Sequence, residues 1–323
     1  MSTTDIYIIL TGSLVAISCA LLGCFLILRR MAMVGDAISH AVLPGIVVAY
    51  LFSGSRDSLT LMPGAVAVGL FSTFLIEFFH RKGRLQSDAS IGVTFTWMFA
   101  VGVILLSLFA GQIDLDQECV LYGEIAFVPL DLWITDAGVN LGPRAPWVMT
   151  TVLLLILGII IIAYKELQLT TFDPAFAAAI GLSTLGWHYV LMSLVSVVTV
   201  ASFELVGAIL VVAFLVVPAA TAYLLTRRLK QMLWLAALAG VLSAIGGYYI
   251  ALWLDGSVAG AMSGVAGLLF VLAFLFSPTD GIINRRFSNR SAGTLASPST
   301  ALSIEKSAAG SAGLAVPGTM GRT

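Results

Sequence analysis

Residues 187–225 have the sequence WHYVLMSLVSVVTVASFELVGAILVVAFLVVPAATAYLL, in which Glu204 is the one residue with a formal charge. One crossing of a bilayer takes about 20 mostly apolar residues, so the stretch is long enough for two. It is predicted to hold two membrane helices, 187–203 and 205–225, divided near Phe203 and Glu204. The alternative is one crossing followed by a short broken helix.

The rest of the chain has the same membrane character. It is 59% hydrophobic and 10% charged, with a mean hydropathy of +1.03, whereas a soluble domain carries about 25% charged residues. The other apolar runs are 6–28, 36–53, 59–79, 90–112, 146–164, 231–253 and 258–277. We therefore expect an all-α polytopic membrane protein with eight to nine transmembrane helices and no large soluble catalytic domain.

Basic residues determine the expected orientation, because Lys and Arg in short loops stay on the cytoplasmic side. If the N-terminus is outside and the C-terminus cytoplasmic, only Arg56 and Arg144 face outward among the basic residues that flank the runs. The inward set is then Arg29, Arg30, Arg81, Lys82, Arg84, Lys165, Arg227, Arg228, Lys230, Arg285, Arg286 and Arg290. The longest outer loop, 113–145, is acidic in this arrangement.

The C-terminal part of the chain differs in composition from the rest. It is rich in Ser, Ala and Gly and has few large apolar side chains, so it cannot bury enough surface to become ordered. We expect a transmembrane domain at 1–284 and a disordered cytoplasmic tail at 285–323. The chain has 3 cysteines, and their positions predict neither a disulfide framework nor a Cys-rich metal cluster.

The first candidate site lies in residues 33–45, MVGDAISHAVLPG, at the start of the second apolar run. Asp36 and His40 are four residues apart and share one face of a helix. A carboxylate in a membrane segment indicates function, and carboxylate with imidazole suits divalent Mn, Fe or Zn. The alternative is that the two side chains pair only with each other and position the helix. Two ligands do not fill the coordination shell of such an ion. A two-fold homodimer with the site on its axis would supply four ligands.

Two other ionisable residues have a structural and a functional interpretation. Glu204 is either a carboxylate of the transport path or a residue of the outer headgroup region, and its place between two apolar runs favours the second. His188 lies between Trp187 and Tyr189, so it is predicted to belong to an aromatic belt at the membrane interface.

The inner loop 165–186 contains signals for a short helix. Asp173 can cap a helix, Pro174 suits its first position and Gly181 suits its end. Residues 174–180 are therefore predicted to form a helix on the cytoplasmic face. Its small and apolar residues favour contact with a partner protein, and the alternative is a turn packed against the helices of the chain itself.

Several catalytic and nucleotide-binding motifs are absent from the sequence. No Gly-x-x-x-x-Gly-Lys-Ser/Thr, His-Glu-x-x-His or Gly-x-Ser-x-Gly occurs. If ATP drives transport, it must bind to another chain. The sequence thus contains none of these catalytic motifs, and we expect that the chain is not an enzyme and has no nucleic acid as a partner.

Three motifs, in this order, resemble the membrane permease of bacterial ABC importers for manganese, zinc and iron. They are RMAMVGDAISHAVLPG at 30–45, FDPAFAAAIG at 172–181 and VGAILVVAFLVVPAATA at 206–222. The resemblance covers the chain as far as about residue 280. It implies that Asp36 and His40 serve metal passage, with Glu204 as a third candidate although the family often has Gln there. It also implies that the second motif docks into the ATPase subunit through Phe172, Asp173, Pro174 and Phe176.

The resemblance further implies the partners and the location. The expected partners are cytoplasmic ATP-binding subunits, an extracytoplasmic metal-binding protein, and a second permease that is either an identical chain or a paralogue. The expected location is the bacterial cytoplasmic (inner) membrane. The divalent metal is the transported substrate, and no permanently bound cofactor is expected. Residues 114–124 resemble the manganese and iron branch, so manganese is expected first, then iron or zinc.

Two other classes of protein fit part of the pattern. A proton-coupled secondary transporter would need no ATPase, but internal inverted repeats typical of many such transporters are not evident in the sequence. An intramembrane metallohydrolase could use Asp36 and His40 as metal ligands. It would need a third ligand and a general base in a recognisable motif, and the sequence shows none.

Overall fold

The computed structural model describes residues 3–54, 58–109, 125–134 and 140–277. The chain comprises two units, Met1–Ala273 and Phe274–Thr323. Three predicted features lie wholly or mostly outside the described residues: the tail 285–323, the acidic loop 113–145 and the stretch 114–124.

The described residues form helices almost throughout. The helices are α1 Thr3–Leu28, α2 Val34–Ala41, α3 Leu43–Ser53, α4 Ser58–Lys82, α5 Ser87–Phe109, α6 Arg144–Ile162, α7 Tyr164–Phe172, α8 Pro174–Ala179, α9 Thr184–Leu225, α10 Leu229–Leu254 and α11 Val258–Phe276. A 3-10 turn, Val128–Leu130, precedes an antiparallel hairpin of β1 Leu132–Ile134 and β2 Asn140–Pro143. Within the described ranges, 8 helices are long and apolar enough to cross a membrane, with α2 and α3 counted together. This confirms the expected polytopic all-α fold.

Helix α1 lies at the centre of the core. It packs mainly against α9 and α10 and also against α6, and the side chains in its second half are almost all buried. Small residues let the neighbouring backbones approach closely, as is typical of membrane helices. A side chain at Gly23 would collide with the carbonyl oxygen of Leu215 in α9, and Gly240 of α10 packs against Ala16.

Helix α9 is too long to be a single straight crossing. Its 42 residues would span about 63 Å as one straight helix, twice the roughly 30 Å of a bilayer core. Gly207 interrupts it with a non-helical backbone, φ 78 and ψ 166. This conformation is essentially restricted to glycine.

Contacts at the two ends of α9 show that the chain reverses direction at this glycine. His188, near the start of α9, lies 3.5 Å from the guanidinium of Arg29. Lys230, just beyond the end of α9, lies 5.5 Å from the ring centroid of Tyr164, in the short helix α7 that also contacts Arg29. Both ends of α9 therefore lie at one end of the bundle, called here the Arg29 end.

The reversal makes α9 a hairpin of two membrane arms, 184–206 and 208–225. The predicted runs 187–203 and 205–225 correspond to these arms, which the count of 8 spans treats as one helix. The break lies at Gly207, a few residues beyond the predicted division at Phe203 and Glu204, because glycine and not the carboxylate permits the required backbone angles.

Candidate metal path and coupling segment

The structure brings Asp36 and His40 together on one face of α2. The His40 Nε2 and Asp36 Oδ1 atoms are 3.5 Å apart, and the side chains are 30% and 39% exposed, respectively. This separation exceeds a normal hydrogen-bond length, so the groups adjoin without a tight bond. Phe95 and Phe99 of α5 flank the imidazole, with ring centroids 5.3 Å and 6.0 Å away. An ion could therefore reach both groups beside an apolar wall.

The helix that carries this pair is short and closely packed. Helix α2 ends at Ala41, and Pro44 occupies the first turn of α3, where its missing N–H costs no helical hydrogen bond. A side chain at Gly35 would collide with that of Leu215 in the second arm of α9. A movement of that arm would therefore displace the helix turn that holds Asp36.

The described residues contain no larger cluster of metal-binding side chains. Among the residues that the structure describes, no group of three or more His, Cys, Asp or Glu side chains is placed to hold a metal ion. If Asp36 and His40 bind an ion, the described residues therefore supply two ligands and the others come from elsewhere.

Glu204 lies elsewhere, at the end of the bundle opposite the Arg29 end. It lines a cavity of about 80 Å³ with Met62, Asp131, Trp133 and Arg144, near the first turns of α4 and α6. The structure therefore does not bring Glu204 to Asp36 and His40. This position at the end of the bundle agrees with the favoured headgroup interpretation.

The loop between α6 and α9 contains the predicted short helix. The Asp173 carboxylate accepts a hydrogen bond of 2.9 Å from the backbone N–H of Phe176, which caps α8 at its N-terminus. Gly181 follows the helix with φ 87, as a glycine C-cap does. Phe172 and Phe176 are each about half exposed, so the segment 164–180, called here the coupling segment, presents two aromatic rings outward.

A buried charge cluster joins this segment to the membrane helices. The Glu77 carboxylate of α4 pairs with Arg81 one turn later and lies 3.1 Å from Nε2 of His188, and the Glu77 and His188 side chains are only 6% and 13% exposed. Arg29 contacts Nδ1 of His188 at 3.5 Å. It also donates hydrogen bonds of 3.1 Å to Thr170 and Thr171.

The arrangement of donors determines the role of the imidazole. Arg29 can only donate, so Nδ1 of His188 must accept, and Nε2 carries the proton that is donated to Glu77. The imidazole ring thus connects a guanidinium to a carboxylate. Partial burial also lowers the pKa of Arg29, although an arginine stays charged in proteins. The cluster joins α1, α4, α7 and α9.

Sequence reasoning missed this cluster. The prediction that His188 belongs to an interfacial aromatic belt is wrong, because its ring is buried against Glu77. One signal was available: Glu77 is a single carboxylate inside the apolar run FLIEFF at 74–79, and such a residue in a membrane segment usually has a partner. Its spacing to Arg81 was also visible, but the partners on other helices were not.

Comparison with known proteins gives consistent results. The model of the ABC 3 transport family matches residues 5–277. The manganese transport system membrane protein MntD of Bacillus subtilis (strain 168) is 51% identical over 282 residues, which are 87% of this chain and 95% of that protein. The zinc transport system membrane protein TroD of Treponema pallidum (strain Nichols) is 42% identical over 278 residues, 86% of this chain and 75% of that protein.

A solved structure supports the same relationship. The structure of PsaBC from Streptococcus pneumoniae in complex with Fab matches with a TM-score of 0.72 and 30% sequence identity. The match covers 90% of this chain and 96% of the chain in that structure. The similarity therefore extends over most of the chain.

Proposed function

The chain belongs to the ABC 3 transport family, and we propose that it is the membrane permease subunit of an ATP-driven importer in the bacterial cytoplasmic membrane. Its cargo is a divalent transition metal, manganese first, then iron or zinc. The observation that carries this proposal is the 51% identity to a manganese transport system membrane protein across 95% of that protein's length.

The orientation follows from the distribution of basic residues. Arg29, Arg81, Arg228 and Lys230 all lie at the Arg29 end, by the contacts described above. The positive-inside rule places this end in the cytoplasm, so the N-terminus is outside. Cytoplasmic ATP-binding subunits then meet the coupling segment, and an extracytoplasmic metal-binding protein delivers the ion at the opposite end.

The metal path uses Asp36 and His40 from two permease chains. Desolvating a divalent ion in an apolar passage is costly, so side-chain ligands must replace part of its water shell. One chain offers two partly exposed ligands beside Phe95 and Phe99, and a two-fold pair of chains offers four. The second chain is an identical copy or a paralogue. Mixed carboxylate and imidazole ligands hold the ion more weakly than a set of thiolates would, which allows release. Glu204 lies apart from this pair, at the outer end of the bundle, and is a residue of the headgroup region.

The coupling segment transmits the state of the ATPase to this path. The exposed rings of Phe172 and Phe176 bind the ATPase, with Asp173 and Pro174 holding the start of α8. Thr170 and Thr171 then move with Arg29, which contacts His188 at the start of the α9 hairpin.

The second arm of the hairpin completes the mechanical connection. Leu215 in this arm packs against Gly35, the residue before Asp36. A rigid-body movement of the hairpin therefore reaches the helix that carries the metal ligands, through contacts between packed groups.

Reconstitution tests the proposal directly. The permease is placed in proteoliposomes with its ATP-binding subunits and the extracytoplasmic protein, and uptake of radioactive manganese is measured with iron and zinc as competitors. We expect uptake that requires ATP and both partners. Uptake by the permease without the ATPase, driven by a proton gradient, would replace the proposal with a secondary transporter.

A further inference from the structure

A cleft at the Arg29 end has no role in the proposed metal path. It has a volume of about 560 Å³ and lies between α7 and the turn that joins α9 to α10. Tyr164 and Phe172 line one side, and Arg227, Arg228 and Lys230 line the other. None of the described residues that line the cleft is acidic, so the charged groups in its lining are all cations.

The basic side of the cleft is a fixed turn. Thr226 donates a 2.9 Å hydrogen bond to the side-chain oxygen of Gln231 and accepts one of 3.3 Å from the backbone N–H of Arg228. The Lys230 ammonium lies 5.5 Å from the centroid of the Tyr164 ring, within the range of a cation–π contact. These contacts order the turn that carries the three cations.

The surface beside the cleft faces lipid. Trp234 is one helical turn after Lys230 on the same face of α10, and it is 80% exposed. Ile162, the last residue of α6, is 85% exposed and is two residues from Tyr164. Large apolar side chains exposed on a membrane helix contact acyl chains. The cleft therefore opens toward the bilayer at the level of the inner headgroups, and not only toward the cytoplasm.

We propose that this cleft binds the phosphate headgroup of an anionic phospholipid of the inner leaflet, with Arg227, Arg228 and Lys230 as its cationic ligands. The acyl chains lie against Trp234 and Ile162. Because Phe172 lines the same cleft, a bound lipid supports the coupling segment from the membrane side. This inference uses the orientation given under the proposed function, but the binding itself requires no transport.

Native mass spectrometry of the assembled transporter tests the site. The complex is prepared with phosphatidylglycerol, phosphatidylcholine or inorganic phosphate, and retained molecules are counted. The triple variant Arg227→Gln, Arg228→Gln, Lys230→Gln should bind phosphatidylglycerol about 100-fold more weakly, the order expected when three basic contacts with an anionic lipid are lost. The matched control Arg30→Gln, Lys82→Gln, Arg84→Gln removes the same charge from the same end and should retain the lipid.

Each other outcome contradicts the proposal in a specific way. Equal retention of phosphatidylglycerol by both triple variants would show that the cleft is not the site. Retention of phosphatidylcholine at the same level, or displacement of the lipid by inorganic phosphate, would remove the requirement for an anionic lipid. Retention by the isolated permease but not by the complex would show that the ATPase covers the cleft. Since metal uptake is not measured, these results are independent of the metal proposal.

Discussion

Replacing Glu77 by Gln should loosen the connection between the coupling segment and the membrane helices. The Glu77 carboxylate is the one anion of the buried cluster, between Arg81 and the imidazole of His188. Glutamine keeps the size of the side chain and one acceptor oxygen, but it removes the charge. Arg29 contacts His188, and after the substitution the cluster contains no carboxylate that balances its charge.

The magnitude follows from the burial of each partner. Removing one partner of a buried ion pair costs about 3–5 kcal/mol. Two features reduce this cost. The Arg81 side chain is 54% exposed and can return to water, where an ion pair is worth little, and the amide oxygen can still accept from His188. We therefore expect a loss of about 2 kcal/mol in the free energy of unfolding, below the range for a fully buried pair.

A double-mutant cycle measures whether the effect belongs to the cluster. Unfolding free energies in detergent and the ATPase rate stimulated by the metal-binding protein are compared for Glu77→Gln, His188→Gln and the double variant. Because the two side chains touch, we expect an interaction energy of about 1 kcal/mol or more and a partial loss of stimulation in each single variant. Asp88→Asn changes an exposed carboxylate at the same end and should leave both quantities unchanged. Additive effects of the two substitutions, or full stimulation in the unstable variants, would refute the reasoning.

Three further sets of substitutions test the other elements. Asp36→Ala and His40→Ala should each reduce metal uptake to background, because each removes one of the two ligands that a chain supplies. Normal uptake by a double variant that is correctly inserted and bound to its ATPase would show that the pair only positions the helix. Asp173→Lys should uncouple ATP hydrolysis from uptake and weaken the cap of α8 by about 0.5–2 kcal/mol. The control Asp173→Asn keeps the cap and should preserve coupling. Equal uptake by the two variants would show that the loop is a simple connector. Gly207→Ala should destabilise the protein by about 1–3 kcal/mol, because the backbone angles at Gly207 suit only glycine. The control Gly158→Ala should be tolerated, because there is open space around Gly158. Equal thermal stability of the two variants would contradict the hairpin.

Much of the local structure could be predicted from the sequence. The cap at Asp173, Pro174 in the first turn and Gly181 at the end of the short helix are signals contained within a few residues, and the structure has all three. The adjacency of Asp36 and His40 depends only on helix geometry, and it is also observed. Their roles in metal passage stay predictions.

The partners across helices could not be predicted in the same way. His188 was interpreted from its aromatic neighbours in sequence, but its environment is formed by Glu77 and Arg29, which are far away in the chain. Glu204 has an equally unusual position in the sequence, and the structure places it at the opposite end of the bundle, apart from the metal ligands.

The sequence by itself determined that this is a polytopic helical membrane protein, because a bilayer imposes the length and apolar character of each crossing on consecutive residues. Only the tertiary structure decided that α9 reverses at Gly207, that a charge cluster connects four helices, and that three cations surround one cleft. The physical reason is that helix packing in a membrane depends on close fit and on side-chain pairs between distant segments. The hydropathy pattern along the chain does not show which helices pack together.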